Sequence, residues 1–348
     1  MERVVVGLSG GVDSSVSALL LKEAGYEVIG ASVILNPESD NPYSCCSISA
    51  VHLARRVAVK LGIPFHVLDY SEGFRRDIVG YFVSEYGRGR TPSPCLLCNR
   101  DYKLRALFSL ADDVGARYVA TGHYVRKGTL SGVQLLRRGK VLSKDQSYFL
   151  FRIPREWIGR LIFPVGDMGK EEVRRIAEER GLPTARRPES QNLCFVSGDY
   201  RDFLLERGLR PTPGRIIYRG EVVGTHGGIH NFTVGQRRGL GVSLGRRVYV
   251  RAIRGTDVIL GDYDELLIRR VLVEDVNWHH LPGEEFEAHV QVRASSKARR
   301  ATVRLLNGKD KVEVVFSDPP FAPAPGQGAA IYHGDLLLGG GTIETPIT

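Results

Sequence analysis

The first twenty-two residues constrain the fold more than any other part of this 348-residue chain. Val4-Val5-Val6 reads as a short buried strand, Ser9-Gly10-Gly11-Val12-Asp13-Ser14-Ser15 as a turn, and Val16 to Lys22 as a helix. A strand, a glycine turn and a helix in that order belong to a parallel α/β sheet. They bring several backbone N–H groups and the positive end of a helix to one point. Such a point suits phosphate oxygens. Gly10 and Gly11 let the backbone come close to a ligand, and Ser9, Ser14 and Ser15 add hydroxyl donors. No lysine stands in the loop to reach a β/γ-phosphate, and the GxGxxG dinucleotide pattern is absent. A loop without that lysine is better suited to gripping a departing pyrophosphate while chemistry occurs at the α-phosphate. The competing reading is an ordinary glycine-rich β–α turn. The full string, directly after a Val-rich strand, weighs against it.

Composition bounds the class. Hydrophobic residues make up 43% and charged residues 25%, as in soluble globular proteins, and the length predicts two or three domains. The formal net charge of +9 favours a polyanionic partner such as nucleic acid. No run of 18 apolar residues predicts a membrane span, and the N-terminus lacks a secretion signal. The expected compartment is the cytoplasm. Five cysteines there are expected to include catalytic or metal-binding thiols rather than a disulfide framework.

Residues 1 to about 125 alternate apolar and amphipathic runs. Val4–Leu8, Glu27–Val33, Phe65–Asp69 and Tyr118–Thr121 read as strands. Asp13–Lys22, Ala50–Lys60, Phe74–Glu85 and Tyr102–Asp113 read as helices. This pattern predicts an open parallel sheet with a ligand beyond the carboxyl ends of its strands. Both the Ser9 loop and the turn Thr121-Gly122-His123-Tyr124 would lie there. Residues 140–200 are mixed, with a helix near Lys170–Arg180. From Pro211 glycine becomes frequent. Alternating Val/Ile-rich runs follow at Arg215–Arg219, Val248–Ile253, Val258–Leu260, Glu287–Arg293, Ala301–Leu305, Val312–Phe316 and Ala329–Tyr332, a pattern of small β-rich domains. The expected domains are 1–205, 206–266 (central, β-rich) and 267–348 (a C-terminal β-barrel).

Thr91-Pro92-Ser93-Pro94-Cys95-Leu96-Leu97-Cys98-Asn99 is the second strong feature. Two prolines stiffen the approach, and the Cys-x-x-Cys is expected at a helix start, where the dipole favours thiolates. Cys194 stands alone in Glu189–Phe195. A zinc site would need a fourth ligand, and none follows at zinc-finger spacing. Three cysteines suit an iron–sulfur cluster with one open iron, and almost equally a persulfide relay. Cys45-Cys46 reads as incidental thiols, since vicinal disulfides are strained.

Eight motifs then appear in order: SGGVDSS at Ser9–Ser15, TPSPCLLCN at Thr91–Asn99, ATGHY at Ala120–Tyr124, KDQSYFL at Lys144–Leu150, FPVG at Phe163–Gly166, SQNLCFV at Ser190–Val196, FTVGQRRGLG at Phe232–Gly241 and LGGGTIE at Leu338–Glu344. The first resembles the PP-loop of ATP pyrophosphatases. Together they resemble the tRNA-specific 2-thiouridylases, which make 2-thiouridine at the wobble position of tRNA. The resemblance implies that ATP is held by Gly7, Leu8, Ser9, Gly10, Gly11, Val12, Asp13, Ser14 and Ser15 with Val33 and Gly122, and that Asp13 meets Mg²⁺. It implies that the base O2 attacks the α-phosphate and that sulfur then displaces AMP from C2. It makes Cys98 and Cys194 the reactive pair, one reading giving Cys194 the persulfide and Cys98 the resolving role. It implies tRNA contacts at Ser93, Pro94, His123, Lys144, Asp145, Gln146, Arg293 and Gln327. The implied partners are wobble-uridine tRNAs of the Lys, Glu and Gln types and a sulfur donor or sulfur-carrier protein.

Two departures matter. Cys95 stands where many members carry aspartate, which removes a fixed carboxylate base and creates a three-thiol set with Cys98 and Cys194. This favours a [4Fe–4S] cluster on Cys95, Cys98 and Cys194, with the persulfide route as the alternative. After Cys45-Cys46, the stretch Ser47–Ala50 lacks the expected acidic residues, and Ala294 follows Arg293 in place of an expected tyrosine. The adjacent Arg237 and Arg238 suit either an RNA backbone contact or a solvated turn. Competing functions are another PP-loop synthetase, a tRNA 2-thiocytidine enzyme, and a non-catalytic RNA-binding protein with a vestigial loop. The modified nucleoside separates the first two from the favoured reading. Pyrophosphate release dependent on tRNA separates the third.

Overall fold

The computed structural model describes residues 1–37, 47–188, 193–306 and 308–347. The vicinal cysteines and the start of the SQNLCFV motif lie outside them. The chain runs β1 (Arg3–Gly7), α1 (Val12–Glu23), β2 (Glu27–Ile34), α2 (Ile48–Leu61), β3 (Phe65–Asp69), α3 (Ser71–Phe74), α4 (Gly80–Gly87), α5 (Pro94–Cys98), α6 (Arg105–Asp113) and β4 (Tyr118–Ala120). A hairpin of β5 (Val125–Leu130) and β6 (Val133–Arg138) follows, then β7 (Leu161–Ile162) and α7 (Lys170–Glu179). The remainder is α8 (Tyr200–Glu206), β8 (Gly214–Tyr218), β9 (Glu221–His226), β10 (Tyr249–Arg254), β11 (Asp257–Gly261), β12 (Arg270–Trp278), β13 (Glu285–Gln291), β14 (Arg299–Leu306), β15 (Lys311–Phe316), β16 (Gly328–His333) and β17 (Leu336–Ile347).

Two compact units share the chain discontinuously. One comprises residues 1–79, 95–197 and 335–337. The other comprises 80–94, 198–334 and 338–348. The first is built on a parallel five-stranded sheet of order β3-β2-β1-β4-β7. Val4, Val5 and Val6 are fully buried in its centre. A strand apolar on both faces is what a sheet covered by helices requires. Val12, Val16 and Leu19 of α1, Ala54 and Val57 of α2, and Val173 and Ala177 of α7 share one core with it. The strand order reverses at β1, which pairs with both β2 and β4. A crevice opens at such a reversal, beyond the carboxyl ends of the strands.

The second unit holds a four-stranded sheet of order β10-β11-β8-β9. It also holds β12, β15, β14, β13, β16 and β17 in sequence, closed by pairing of β12 with β17. Closure removes the exposed edges that a small sheet would otherwise present.

The expected strands β1 to β4 and helices α1, α2 and α7 appear within two residues of their predicted ends. The two long predicted helices are broken. Phe74–Glu85 passes from α3 through a π-turn at Arg75–Val79 into α4, and a second π-turn at Asn99–Leu104 joins α5 to α6. The hairpin β5–β6 occupies residues that had no assigned element. Its strands are mixed in polarity, and Leu135 and Leu136 are buried consecutively rather than alternately.

Candidate active site

The loop after β1 leaves donors for a ligand. Gly11 caps α1 without a side-chain hydrogen bond, so the first N–H groups of the helix have no internal acceptor. The serines shape the loop instead. Ser14 Oγ donates to Gly11 O (3.0 Å) and accepts from Ser9 N (3.2 Å), and Ser15 Oγ donates to Gly11 O (2.8 Å). Ser15 is fully buried. Gly10 takes φ of +69°, and a Cβ there would meet Ala50 O at 2.5 Å. Gly122, just after β4, is also tightly placed: its Cβ would stand 2.6 Å from Ser14 N and 2.8 Å from Asp13 C. Glycine at 122 is therefore a requirement of close backbone approach.

A cleft of about 200 Å³ opens at the strand reversal. Ala31, Val33, Leu104 and Leu107 give it an apolar wall, and Gly7, Leu8, Ser9, Asp13, Ser14, Gly122, His123 and Gln146 face the same space. A second lobe of similar size shares Ser9, Asp13 and Gln146 and adds Gly11, Val12, Tyr124, Lys144, Lys170 and Arg187. The nucleotide candidates thus converge. Gly10 shapes the loop and Ser15 supports it from behind.

Asp13 stands where the lobes meet. Lys170 Nζ lies 2.8 Å from each carboxylate oxygen, and Tyr124 Oη donates to one of them at 2.7 Å. Arg187 Nη1 donates to Gly10 O at 2.7 Å. Lys170 and Arg187 therefore bring to the loop the positive charge that its own sequence lacks. The sequence reading missed both, because they lie 157 and 177 residues from Asp13 and Gly10. A local signal exists for Lys170. It is the first residue of α7, where the helix dipole disfavours a cation unless a carboxylate waits nearby.

Lys144 and Gln146 reach the cleft, whereas Asp145 turns inward with a side chain 3% exposed. Its carboxylate accepts from Arg138 (2.7 Å), Gly139 N and Ser147 N (3.0 Å each) and Ser147 Oγ (2.9 Å). His123 Nδ1 and Thr121 Oγ1 are 2.8 Å apart.

Pro94 opens α5, so Cys95 occupies its first turn and Cys98 closes it. Cys95 is half-buried, Cys98 buried and Cys194 half-buried, and all three are thiols. An aromatic chain connects their segments. The ring of Phe195 meets Phe74 at 5.7 Å, and Phe74 meets Tyr102 at 5.8 Å, one turn beyond Cys98. Tyr102 Oη donates to Asp77 at 2.6 Å. Burial and this bond raise the Tyr102 pKa. Hydrogen bonds from Arg76 and Tyr102 lower that of Asp77. Among the described residues, no three His, Cys, Asp or Glu side chains gather so as to hold a metal ion. The structure therefore does not show the cluster expected on Cys95, Cys98 and Cys194.

In the second unit, Arg293, Gln327 and the segment leading to Ser93 converge on residues 322–327. Gln327 Nε2 donates to Thr91 O (2.9 Å), Thr91 N donates to Pro325 O (2.8 Å), and Arg293 Nη2 donates to Ala322 O (2.7 Å) and Val234 O (2.8 Å).

Three family models match the chain: a tRNA methyl transferase HUP domain over residues 2–198, a tRNA methyl transferase PRC-barrel domain over 201–259 and an aminomethyltransferase beta-barrel domain over 268–343. The tRNA-specific 2-thiouridylase MnmA of Carboxydothermus hydrogenoformans is 46% identical, covering 99% of this chain and 98% of that protein. The MnmA of Thermus thermophilus is 47% identical over 99% and 95%. Among solved structures, a 4-thiouridine synthetase in complex with RNA and ATP aligns with a TM-score of 0.39 and 18% identity, over 60% of this chain and 50% of that one. Full-length relatives at this identity, together with the three-part domain match, establish that the chain belongs to the tRNA-specific 2-thiouridylase family.

Proposed function

We propose that the chain catalyses ATP-dependent 2-thiolation of the wobble uridine of tRNA. The two-lobed cleft at the strand reversal carries this reading. Its apolar lobe suits adenine. Its cationic lobe, with Lys170 and Arg187 beside the loop, suits the phosphates. Attack of the uridine O2 on the α-phosphate forms an O2–P bond and expels pyrophosphate. A carbonyl oxygen leaves poorly until it carries AMP. The loop N–H groups, Lys170 and Arg187 stabilise the charge gathering on the departing pyrophosphate. Mg²⁺ binds through one or two carboxylates and substrate phosphates. Asp13 supplies such a carboxylate, and the ion would neutralise phosphate charge.

For the sulfur half we favour a persulfide on Cys194. Its outer sulfur attacks C2 and AMP departs. The Cys98 thiolate then attacks the Cys194 sulfur, leaving sulfur on C2 and a Cys98–Cys194 disulfide for an external thiol to reduce. The aromatic chain joining the two segments supports this reading. The tRNA-contact roles of Ser93, Pro94, His123, Lys144, Gln146 and Gln327 belong to the same proposal. Arg293 and Asp145 act through the segments they hold.

The purified chain is tested with ATP, unmodified tRNA and a persulfide donor. The expected result is pyrophosphate release that requires tRNA, with an oxygen-to-sulfur mass gain at uridine. Binding of tRNA without pyrophosphate release, or thiolation at cytidine, overturns it. Cys95→Asp is expected to retain thiolation without iron. Activity of the unsubstituted chain that depends on added iron overturns the persulfide route.

A further inference from the structure

Residues 140–143, Lys-Val-Leu-Ser, are all exposed and lead directly into Lys144, which lines the cationic lobe. Leu142 is 69% exposed and Val141 36%. Of the large apolar side chains exposed among the described residues, these are the only two adjacent in sequence. Single exposed apolar residues are ordinary on protein surfaces. An adjacent pair on a rigid turn between two lysines is a more specific arrangement.

The turn is rigid for identifiable reasons. Lys144 N donates to Val141 O at 2.9 Å, and Lys140 N donates to Gly166 O at 3.0 Å. The Asp145 carboxylate, almost fully buried, ties the turn to Arg138, Gly139 and Ser147. Gln146 exchanges bonds with the Tyr124 backbone, its N donating to Tyr124 O at 3.1 Å and its Oε1 accepting from Tyr124 N at 3.0 Å. Leu142 and Lys144 open and close one 3₁₀ turn, which separates them by only about 4 Å along the axis. Lys144 lines the cleft, so the apolar tip stands beside its mouth.

We propose that Leu142, backed by Val141, is a wedge that fills the stacking gap left in single-stranded RNA when the target uridine is drawn into the cleft. The proposal rests on the functional reading above. A base inside a stacked loop cannot reach an adenylation site without unstacking. Aliphatic side chains inserted at a base step are one way proteins hold such a gap open. Lys140 and Lys144 on either side supply charge that matches the flanking phosphates. Asp145 is then the positioning residue that keeps the wedge at the rim.

The test compares the full-length chain with Leu142→Ser and Leu142→Phe on two anticodon stem-loops. One is intact. The other lacks the base beside the target uridine, so no stack must be broken. Leu142→Ser is expected to lose about tenfold in kcat/KM on the intact RNA, as loss of one buried leucine contact implies. The loss should vanish on the abasic RNA, and Leu142→Phe should retain activity because an aromatic ring also stacks. ATP affinity of Leu142→Ser is expected to match that of the unsubstituted chain. An equal loss on both RNAs, no loss on either, or a change in self-association of the free chain caused by Leu142→Ser overturns the wedge. Failure of the functional reading would appear differently, as absence of tRNA-dependent pyrophosphate release in the unsubstituted chain.

Discussion

Lys170 is the residue on which the adenylation half of the reaction is most exposed to test. Its ammonium sits against both oxygens of Asp13. Lys170→Ala should lower tRNA-dependent pyrophosphate release by roughly a hundredfold, the usual size for losing one group that stabilises developing charge. Lys170→Arg should recover part of it. Gly122 tests the backbone instead. Gly122→Ala places a methyl within 2.6 Å of Ser14 N, and the expected outcome is loss of measurable ATP binding by calorimetry with the fold retained by circular dichroism. At this scale the sequence disclosed the loop well, because Ser9 to Ser15 are contiguous and their conformation is local. It did not disclose Lys170 or Arg187, whose partners are set by tertiary packing of α7 and the segment after it. It also could not tell that Asp145 faces inward while its neighbours Lys144 and Gln146 face the cleft, since three consecutive polar residues carry no periodicity.

Among the elements, the two π-turns were invisible in the sequence for a physical reason. A π-turn inserts one residue into a helix without changing its apolar character, so a 3.6-residue pattern runs through it with only a phase shift. The first begins directly after Phe74 and the second contains Tyr102, two members of the aromatic chain that reaches Phe195. Phe195→Ala should therefore slow sulfur transfer while leaving pyrophosphate release intact, measured on the same reaction mixture. A failure of both steps would show that the chain of rings supports the whole unit rather than the Cys194 segment. In the second unit, the short 3₁₀ turn Ile229–Asn231 buries His230. Burial lowers its pKa below the ordinary value of 6.5, and Arg201 and His226 add to the shift. The unfolded chain therefore binds the proton more readily. The stability that neutral His230 contributes is complete above pH 6.5 and is lost as pH falls below it. Thermal unfolding followed from about pH 7.5 to 5.5 should show a steeper fall in Tm for the unsubstituted chain than for His230→Gln.

For the whole molecule, the parallel sheet and the β-rich remainder were legible from the change in texture after Pro211. The interleaving of the units was not, because nothing in residues 80–94 or 335–337 signals which part of the chain they pack with. Neither unit is one continuous stretch of chain. A fragment ending at Ser197 would lack Leu336 and Leu337, which pair with β6, and Asp335, which pairs with Arg126 and Arg137. It should unfold at a lower temperature than the first unit does in the full chain. The net charge of +9 sets a further expectation. Affinity for tRNA should fall linearly with salt on logarithmic axes, as counterion release requires. A flat dependence would show that the charge is not directed at RNA.

One of the crossings between units falls at Pro94–Cys95, immediately ahead of the thiol helix. On its upstream side Thr91 is tied at both its N–H and its carbonyl, and Pro92 and Pro94 hold φ nearly fixed. The stretch leading into Cys95 therefore keeps little backbone freedom of its own: in the terms of a jointed chain it is a stiff link rather than a hinge, and the thiol helix begins from a direction set by covalent geometry.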